Sequence, residues 1–125
     1  MLAVCQELGI ENEAIPRIAS GFGGGIGGTG AVCGAVVGAV MAIGLKHGRD
    51  DASEDRFGAW GLVQEFRQRF EAEMGHICCH ELTGMNLSTD EGRRQYRSSD
   101  VPVRVCLRAG GTAYQIVLEL LKEAE

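Results

Sequence analysis

Residues 21–47 read GFGGGIGGTG followed by AVCGAVVGAVMAIGLKH, and this stretch decides how the chain folds. Glycine permits left-handed backbone and close approach of neighbouring chain, so the first ten positions predict turns. The residues that follow are small or apolar and recur at four-residue spacing, which predicts a buried helix over 31–47. Because glycine in a helix interior costs ~1 kcal/mol relative to alanine, the glycines of this helix indicate close packing.

The glycine-rich run contains the pattern G-x-G-x-x-G twice, at residues 23–28 and 25–30. A dinucleotide site requires a strand before those glycines, whereas the preceding segment has a helical pattern. A Walker loop is also excluded, because no Gly-Lys-Ser/Thr follows. We therefore interpret the run as a packing device and expect no nucleotide.

The segment 20–45 carries no charged residue and is long enough to cross the ~30 Å hydrocarbon core of a bilayer. Its first part, however, is mostly glycine, and the strongly apolar part covers only residues 31–45. Small residues at four-residue spacing suit a buried helix of a soluble protein as well as a membrane helix. We expect no membrane span.

Four further segments have helical patterns. The first helix covers residues 1–8, ends at Gly9 and lacks an N-terminal cap, so we expect that it begins upstream of Met1. A short helix follows over residues 12–20 with Asn12 as its cap. Ser53 begins a long helix whose buried stripe consists of Phe57, Trp60, Val63, Phe66, Phe70 and Met74.

The last helix begins near Ser99–Pro102 and has an apolar face made of Cys106, Ala109, Ala113, Ile116, Val117, Leu120 and Leu121. Residues 78–84 predict a short helical turn, and residues 88–100 predict a polar loop with one helical turn. Strand-like alternation is missing from the whole sequence. The prediction is an all-α single domain over residues 1–125, a bundle of about five helices with a Gly-rich loop.

Composition narrows the function classes. The net charge of −5 comes without a basic run, which disfavours nucleic acid as a partner. The five cysteines are odd in number and irregularly spaced, and no secretory signal precedes them. Thiols of this kind serve metals or catalysis in a reducing compartment, so we expect a cytoplasmic protein.

Three cysteines, Cys33, Cys79 and Cys106, lie near predicted helix starts. A helix N-terminus lowers the pKa of a thiol and favours the thiolate, which is the form that binds metals or attacks disulfides. These three are the candidate catalytic and metal-binding residues. Cys5 is more readily explained as a small apolar side chain packed in the interior. Cys78 is adjacent to Cys79, so in a helix the two side chains point in different directions.

The glycine-rich run leads directly into the helix that begins with Cys33. Gly24, Gly25 and Gly34 are therefore the candidates for letting backbone approach that thiol and any cofactor bound to it.

The cysteine positions resemble a family of small redox-active proteins named for the pattern C-GCAxxG-C-C. The sequence CGAVVG at residues 33–38 matches the CGAxxG motif of the family, and GFGGG at residues 21–25 precedes it. Cys79 and Cys106 are similar to the third and fourth cysteines. Cys5 departs from the family pattern, because Gln6 follows it where alanine is usual. Either Cys5 replaces the first cysteine, or that cysteine lies upstream of Met1.

The resemblance implies redox or metal-cluster capacity and leaves three hypotheses open. In the first, Cys33, Cys79 and Cys106, together with Cys5, hold an iron–sulfur cluster or another soft metal for electron transfer to a partner protein. In the second, the chain is a thiol–disulfide redox protein or sensor. In the third, the Gly/Ala helix forms a homodimer contact without redox chemistry.

Overall fold

The computed structural model describes residues 1–124, and within that range seven α-helices are present. A 3₁₀ turn covers Ser20–Phe22, and a π-helical turn at Pro102–Leu107 continues directly into the last helix. The prediction of an all-α fold is confirmed, although seven helices replace the expected five or so. The helices are α1 (Leu2–Leu8), α2 (Ile15–Ile18), α3 (Gly34–His47), α4 (Trp60–Met74), α5 (Cys79–Thr83), α6 (Asp90–Ser98) and α7 (Arg108–Glu123).

The core lies between α3, α4 and α7, which contact one another along their lengths. Their fully buried side chains include Ile43 of α3, Phe66 and Phe70 of α4, and Val117 and Leu121 of α7. The predicted apolar face of α7 is confirmed from Ala109 onward, because those residues are all buried. No helix formed by residues 1–124 has the length and apolar character needed to cross a bilayer.

The predicted start of the fourth helix at Ser53 is wrong. The Asp51 carboxylate accepts hydrogen bonds from both the backbone N–H and the hydroxyl of Ser53, at 2.8 and 2.6 Å. Such a local turn competes with helix formation, and α4 begins only at Trp60. Phe57 and Trp60 are consequently 57% and 52% exposed, although the sequence pattern predicted them buried.

The predicted loop over residues 88–100 is also wrong, because most of it forms α6. Thr89 accepts a hydrogen bond from the backbone N–H of Gly92 at 3.0 Å and so caps this helix. Asp90 and Glu91 lie in its first turn, where negative charge is favourable.

The helix that carries the CGAVVG motif begins at Gly34, three residues later than predicted. The preceding chain is extended instead, because Val32 pairs with Cys78 in an antiparallel bridge. The N–H of Cys33 donates to the carbonyl of Ile77, and the N–H of Cys79 donates to the carbonyl of Ala31, both at 2.7 Å. This bridge joins the start of α3 to the start of α5.

The N-terminal segment follows its prediction in part. Helix α1 ends at Gly9, which has a left-handed φ of 71°, as predicted. The second helix is shorter than expected and covers only Ile15–Ile18. The predicted cap Asn12 accepts a hydrogen bond from the N–H of Ala14 at 2.9 Å, which closes a turn before the helix begins.

Candidate redox site

The glycine-rich run turns in the left-handed region of backbone space. Gly24, Gly25, Gly27 and Gly28 have φ values of 64°, 71°, 65° and 80°, and Ile26 between them has a φ of 62°. A β-branched residue is strained in this region, and such strain is found where the surrounding structure fixes the backbone. Bonds from the N–H of Gly27 to the carbonyl of Gly21, and of Gly28 to Gly23, close the turn at 2.8 and 3.0 Å.

This loop packs directly on the second candidate cysteine. Gly25 is buried, and a Cβ atom there would lie 2.5 Å from the carbonyl oxygen of Ala31 and 2.7 Å from Cβ of Cys79. A Cβ atom at Gly24 would lie 2.7 Å from Cα of Gly28, and one at Gly34 would lie 3.0 Å from the carbonyl oxygen of Phe22. The three glycines singled out in the sequence therefore lie where backbone approaches backbone or Cys79.

Cys79 is the most deeply enclosed thiol of this region, at 7% exposure. Burial raises the pKa of Cys79, and the charges of Cys106 and Cys33 raise it further, while a hydrogen bond with Thr83 opposes the change. The expectation that the helix N-terminus lowers this pKa is wrong, because burial dominates and α5 has only five residues. The charges that act on Cys79 place Cys33, Cys79 and Cys106 in one region.

Cys106 lies in the π-helical turn Pro102–Leu107, a distortion that is frequent at functional sites. The hydroxyl of Tyr96 on α6 donates a hydrogen bond to Sγ of Cys106 at 3.3 Å. This bond, followed by burial and the charges of Cys106 and Cys79, raises the pKa of Tyr96 to about 12. Tyr96 therefore keeps its proton and contacts the thiol that the sequence identified. Tyr96 was not among the predicted site residues, because its segment was interpreted as a loop.

The remaining candidates have weaker links to the site than these three thiols have to one another. Cys5 is 1% exposed on α1, and within residues 1–124 its charge is not among those that act on Cys79 or Tyr96. Cys78 makes the smallest of the charge contributions to Cys79. Nδ1 of His80 lies 3.4 Å from the carbonyl oxygen of Met85.

No set of three or more His, Cys, Asp or Glu side chains in the described part of the chain is arranged to hold a metal ion. A single ion requires each thiolate sulfur about 2.3 Å away. Cys33, Cys79 and Cys106 lie in one region, but their side chains are not arranged around a single ion. All five cysteines are free thiols.

The small residues of α3 make their close contacts inside the chain. A Cβ atom at Gly38 would lie 3.2 Å from the backbone nitrogen of Met1. Gly34 approaches Phe22, and Ala39 and Ala42 are buried in the core. Gly44, in contrast, has open space around it.

Comparison with known proteins supports the family resemblance, although residues 33–38 read CGAVVG where the family pattern has GCAxxG, with Cys and Gly in the opposite order. A family model described as "Putative redox-active protein (C_GCAxxG_C_C)" matches residues 1–120, so the resemblance seen in the sequence is confirmed. Comparison with curated proteins gives no match. Comparison with solved structures gives no match either.

Proposed function

The chain belongs to the C-GCAxxG-C-C family, and from this premise we propose that Cys33, Cys79 and Cys106 form its redox centre. The observation that carries the proposal is that the charges of Cys106 and Cys33 both act on the buried Cys79 thiol. The three cysteines come from different elements: the N-cap of α3, the first residue of α5 and the π-helical turn. They are far apart in the sequence, and the charges that act on Cys79 support a shared redox role over independent packing.

The chemistry that the chain's own groups support best is dithiol–disulfide exchange between Cys106 and Cys79. The Tyr96 hydroxyl donates to Cys106 Sγ, so this sulfur has a defined hydrogen-bond partner. Cys106 is also the more exposed of the two, so it is the attacking thiolate in this proposal. Cys79 is buried with a raised pKa, so it keeps its proton until the second step and then resolves the intermediate.

The exchange balances in atoms and electrons. Cys106 Sγ attacks one sulfur of a partner disulfide, that S–S bond breaks, and a mixed disulfide forms as the first partner thiolate leaves. Cys79 then gives up its proton, attacks Cys106 Sγ and displaces the second partner thiolate. The net result is one disulfide formed in this chain, two thiols formed on the partner, and two electrons transferred to the partner.

A soft metal centre is the second candidate, and the presence of a third thiol, Cys33, favours it. Thiolates are the ligands of iron–sulfur clusters, which supply one-electron transfer when bound. Cys33, Cys79 and Cys106 would hold such a cluster. Cys5 lies apart from them, so a fourth ligand would come from elsewhere. Within residues 1–124, the present arrangement does not surround a single ion.

Oxidation of the reduced protein with hydroxyethyl disulfide, followed by peptide mapping, tests the exchange reaction. We expect loss of two thiols and a Cys79–Cys106 disulfide. The Cys79→Ser variant should stop at a mixed disulfide on Cys106, because the resolving thiol is gone. Cys78→Ser is the matched control, since it changes the adjacent residue and should react like the wild type. A disulfide that maps to another pair, or no reaction at all, contradicts the proposal.

Anaerobic purification with iron and sulfide analysis separates the two candidates. The exchange candidate predicts a protein without bound iron and sulfide. Stoichiometric iron and sulfide that disappear in Cys33→Ser and persist in Cys78→Ser would favour the cluster instead.

The partner and the compartment follow from the same chemistry. We propose that a dithiol–disulfide partner protein or small thiol exchanges electrons with the centre. We also propose that the protein works in the cytoplasm, where the free thiols stay reduced. A homodimer stays a prediction, with Gly44 as the α3 glycine that has open space for a partner helix.

A further inference from the structure

A groove lies between the glycine-rich loop and α6, beside the redox centre. Its volume is about 450 Å³, and its walls include Gly23 and Gly24 of the loop together with Arg93, Tyr96 and Arg97 of α6. Tyr96 is shared between the two sites, because the side chain that lines the groove also donates to Cys106 Sγ.

The groove is positively charged although the protein is acidic. The net charge of the chain is −5, yet Arg93 and Arg97 both lie along this one surface. Nε of Arg93 donates to the carbonyl of Leu87 at 2.8 Å, which fixes its guanidinium at the wall. Its Nη1 is 3.6 Å from Oδ1 of Asp90, a carboxylate that is 93% exposed and so screened by water.

Arg97 has fewer partners within the protein than Arg93. Among residues 1–124 it makes no ion pair or hydrogen bond through its side chain. Within that range, the backbone N–H of Gly24 also donates to no acceptor. Guanidinium groups in fixed positions bind carboxylates through paired hydrogen bonds, and backbone N–H groups add to such a site.

We infer that this groove is the substrate site of the redox centre and that it binds the carboxylate of a small disulfide or thiol. The inference deepens the exchange function proposed above and rests on it. A carboxylate held by Arg97 and Arg93 places the rest of a small disulfide along Tyr96, which leads to Cys106. The groove thus selects anionic disulfides over neutral or cationic ones of similar size.

Single-turnover oxidation of the reduced protein tests this selectivity with two disulfides. The quantity is the rate with anionic glutathione disulfide divided by the rate with cationic cystamine. We expect Arg97→Gln to lower this ratio about tenfold, because one charged hydrogen-bonding group is lost. Arg94→Gln is the matched control. It removes the same charge from the same helix, but Arg94 does not line the groove, so the ratio should stay within about twofold of wild type.

Binding of S-methylglutathione separates failure of the groove from failure of the exchange reaction. This compound carries the carboxylates but cannot exchange, so its affinity does not depend on the thiols. We expect about tenfold weaker binding in Arg97→Gln and no change in Arg94→Gln. If neither disulfide reacts while this difference in binding persists, the exchange function fails and the anion site stands. Equal effects of the two variants on binding, or no binding to the wild type, would contradict the proposal that the groove binds carboxylates.

Discussion

Two regions of this molecule are held together in different ways. One is the helical core, and the other is the cysteine end, which comprises Cys33, Cys79 and Cys106 with the glycine-rich loop at residues 21–30. Between α3, α4 and α7, large apolar side chains fill the space, and no polar or charged residue among 1–124 is buried. At the cysteine end, glycines let the loop approach α5 so closely that a single Cβ at Gly25 would collide with Cys79. The core therefore depends on side-chain volume, whereas the cysteine end depends on the absence of side chains.

The two regions also differ in their titratable groups. Among residues 1–124, the buried side chains that form the core cluster include no titratable group. The cysteine end encloses Cys79, and the pKa values of both Cys79 and Tyr96 are raised there. Close backbone packing at Gly25 fixes the position of the Cys79 side chain, and burial of this kind makes a thiol less reactive than an exposed one.

The largest expected effect is in the core. Phe66→Ala should lower the free energy of unfolding by about 3–5 kcal/mol, because Phe66 is 0% exposed and its loss leaves a cavity. Phe57→Ala is the matched control, since Phe57 is 57% exposed and lies before α4 begins. It should change stability by only about 0.5 kcal/mol. Urea unfolding of both variants measures the difference, and equal losses would mean that the predicted stripe from Phe57 is buried after all.

The next effect tests the cysteine end. Gly25→Ala should cost about 2–4 kcal/mol, because the new Cβ meets Ala31 and Cys79 and the left-handed φ is strained for alanine. Gly44→Ala is its control: that position is helical with open space, so the same substitution should stabilise by up to ~1 kcal/mol. Urea unfolding should show that the two variants change the free energy of unfolding in opposite directions. A neutral Gly25→Ala variant would show that the loop does not pack on Cys79.

These regions were not equally predictable from the sequence. The four-residue spacing of Phe66 and Phe70 predicted the part of the core that α4 contributes, because burial of an apolar stripe is a property of the helix itself. Helix boundaries were missed where a short polar side chain binds nearby backbone, as Asp51 does with Ser53, since that competition is decided locally at small energies.

The candidate site was predictable only in part. The CGAVVG motif and the helix starts led to Cys33, Cys79 and Cys106. The direction of the Cys79 pKa change was missed, because sequence position reveals the helix dipole but not the burial that outweighs it. Tyr96 and Arg97 were missed because their helix was interpreted as a loop, so they had no face to share with a thiol.

The smallest expected effect concerns the proton on Tyr96. In a Tyr114→Phe background, which leaves a single tyrosine, ultraviolet absorbance should show a pKa of about 12 for Tyr96. The Cys106→Ala variant should move the midpoint down toward the ordinary value of 10.0, because the hydrogen bond to Cys106 is the largest cause of the shift. Cys78→Ala is the control and should leave the midpoint in place.

The sign of the same shift fixes its effect on stability. A phenol whose pKa is raised on folding stabilises the folded state fully below pH 10.0, and this stabilisation is lost as pH rises through about 12. Tyr96→Phe removes the titrating hydroxyl, so unfolding of that variant should be less sensitive to alkali over this interval than unfolding of the wild type. Circular dichroism during the titration shows whether the chain is still folded. If the wild-type midpoint lies at 10.0 while the helices persist, Tyr96 does not donate to Cys106, and the difference in titratable groups between the two regions rests on Cys79 alone.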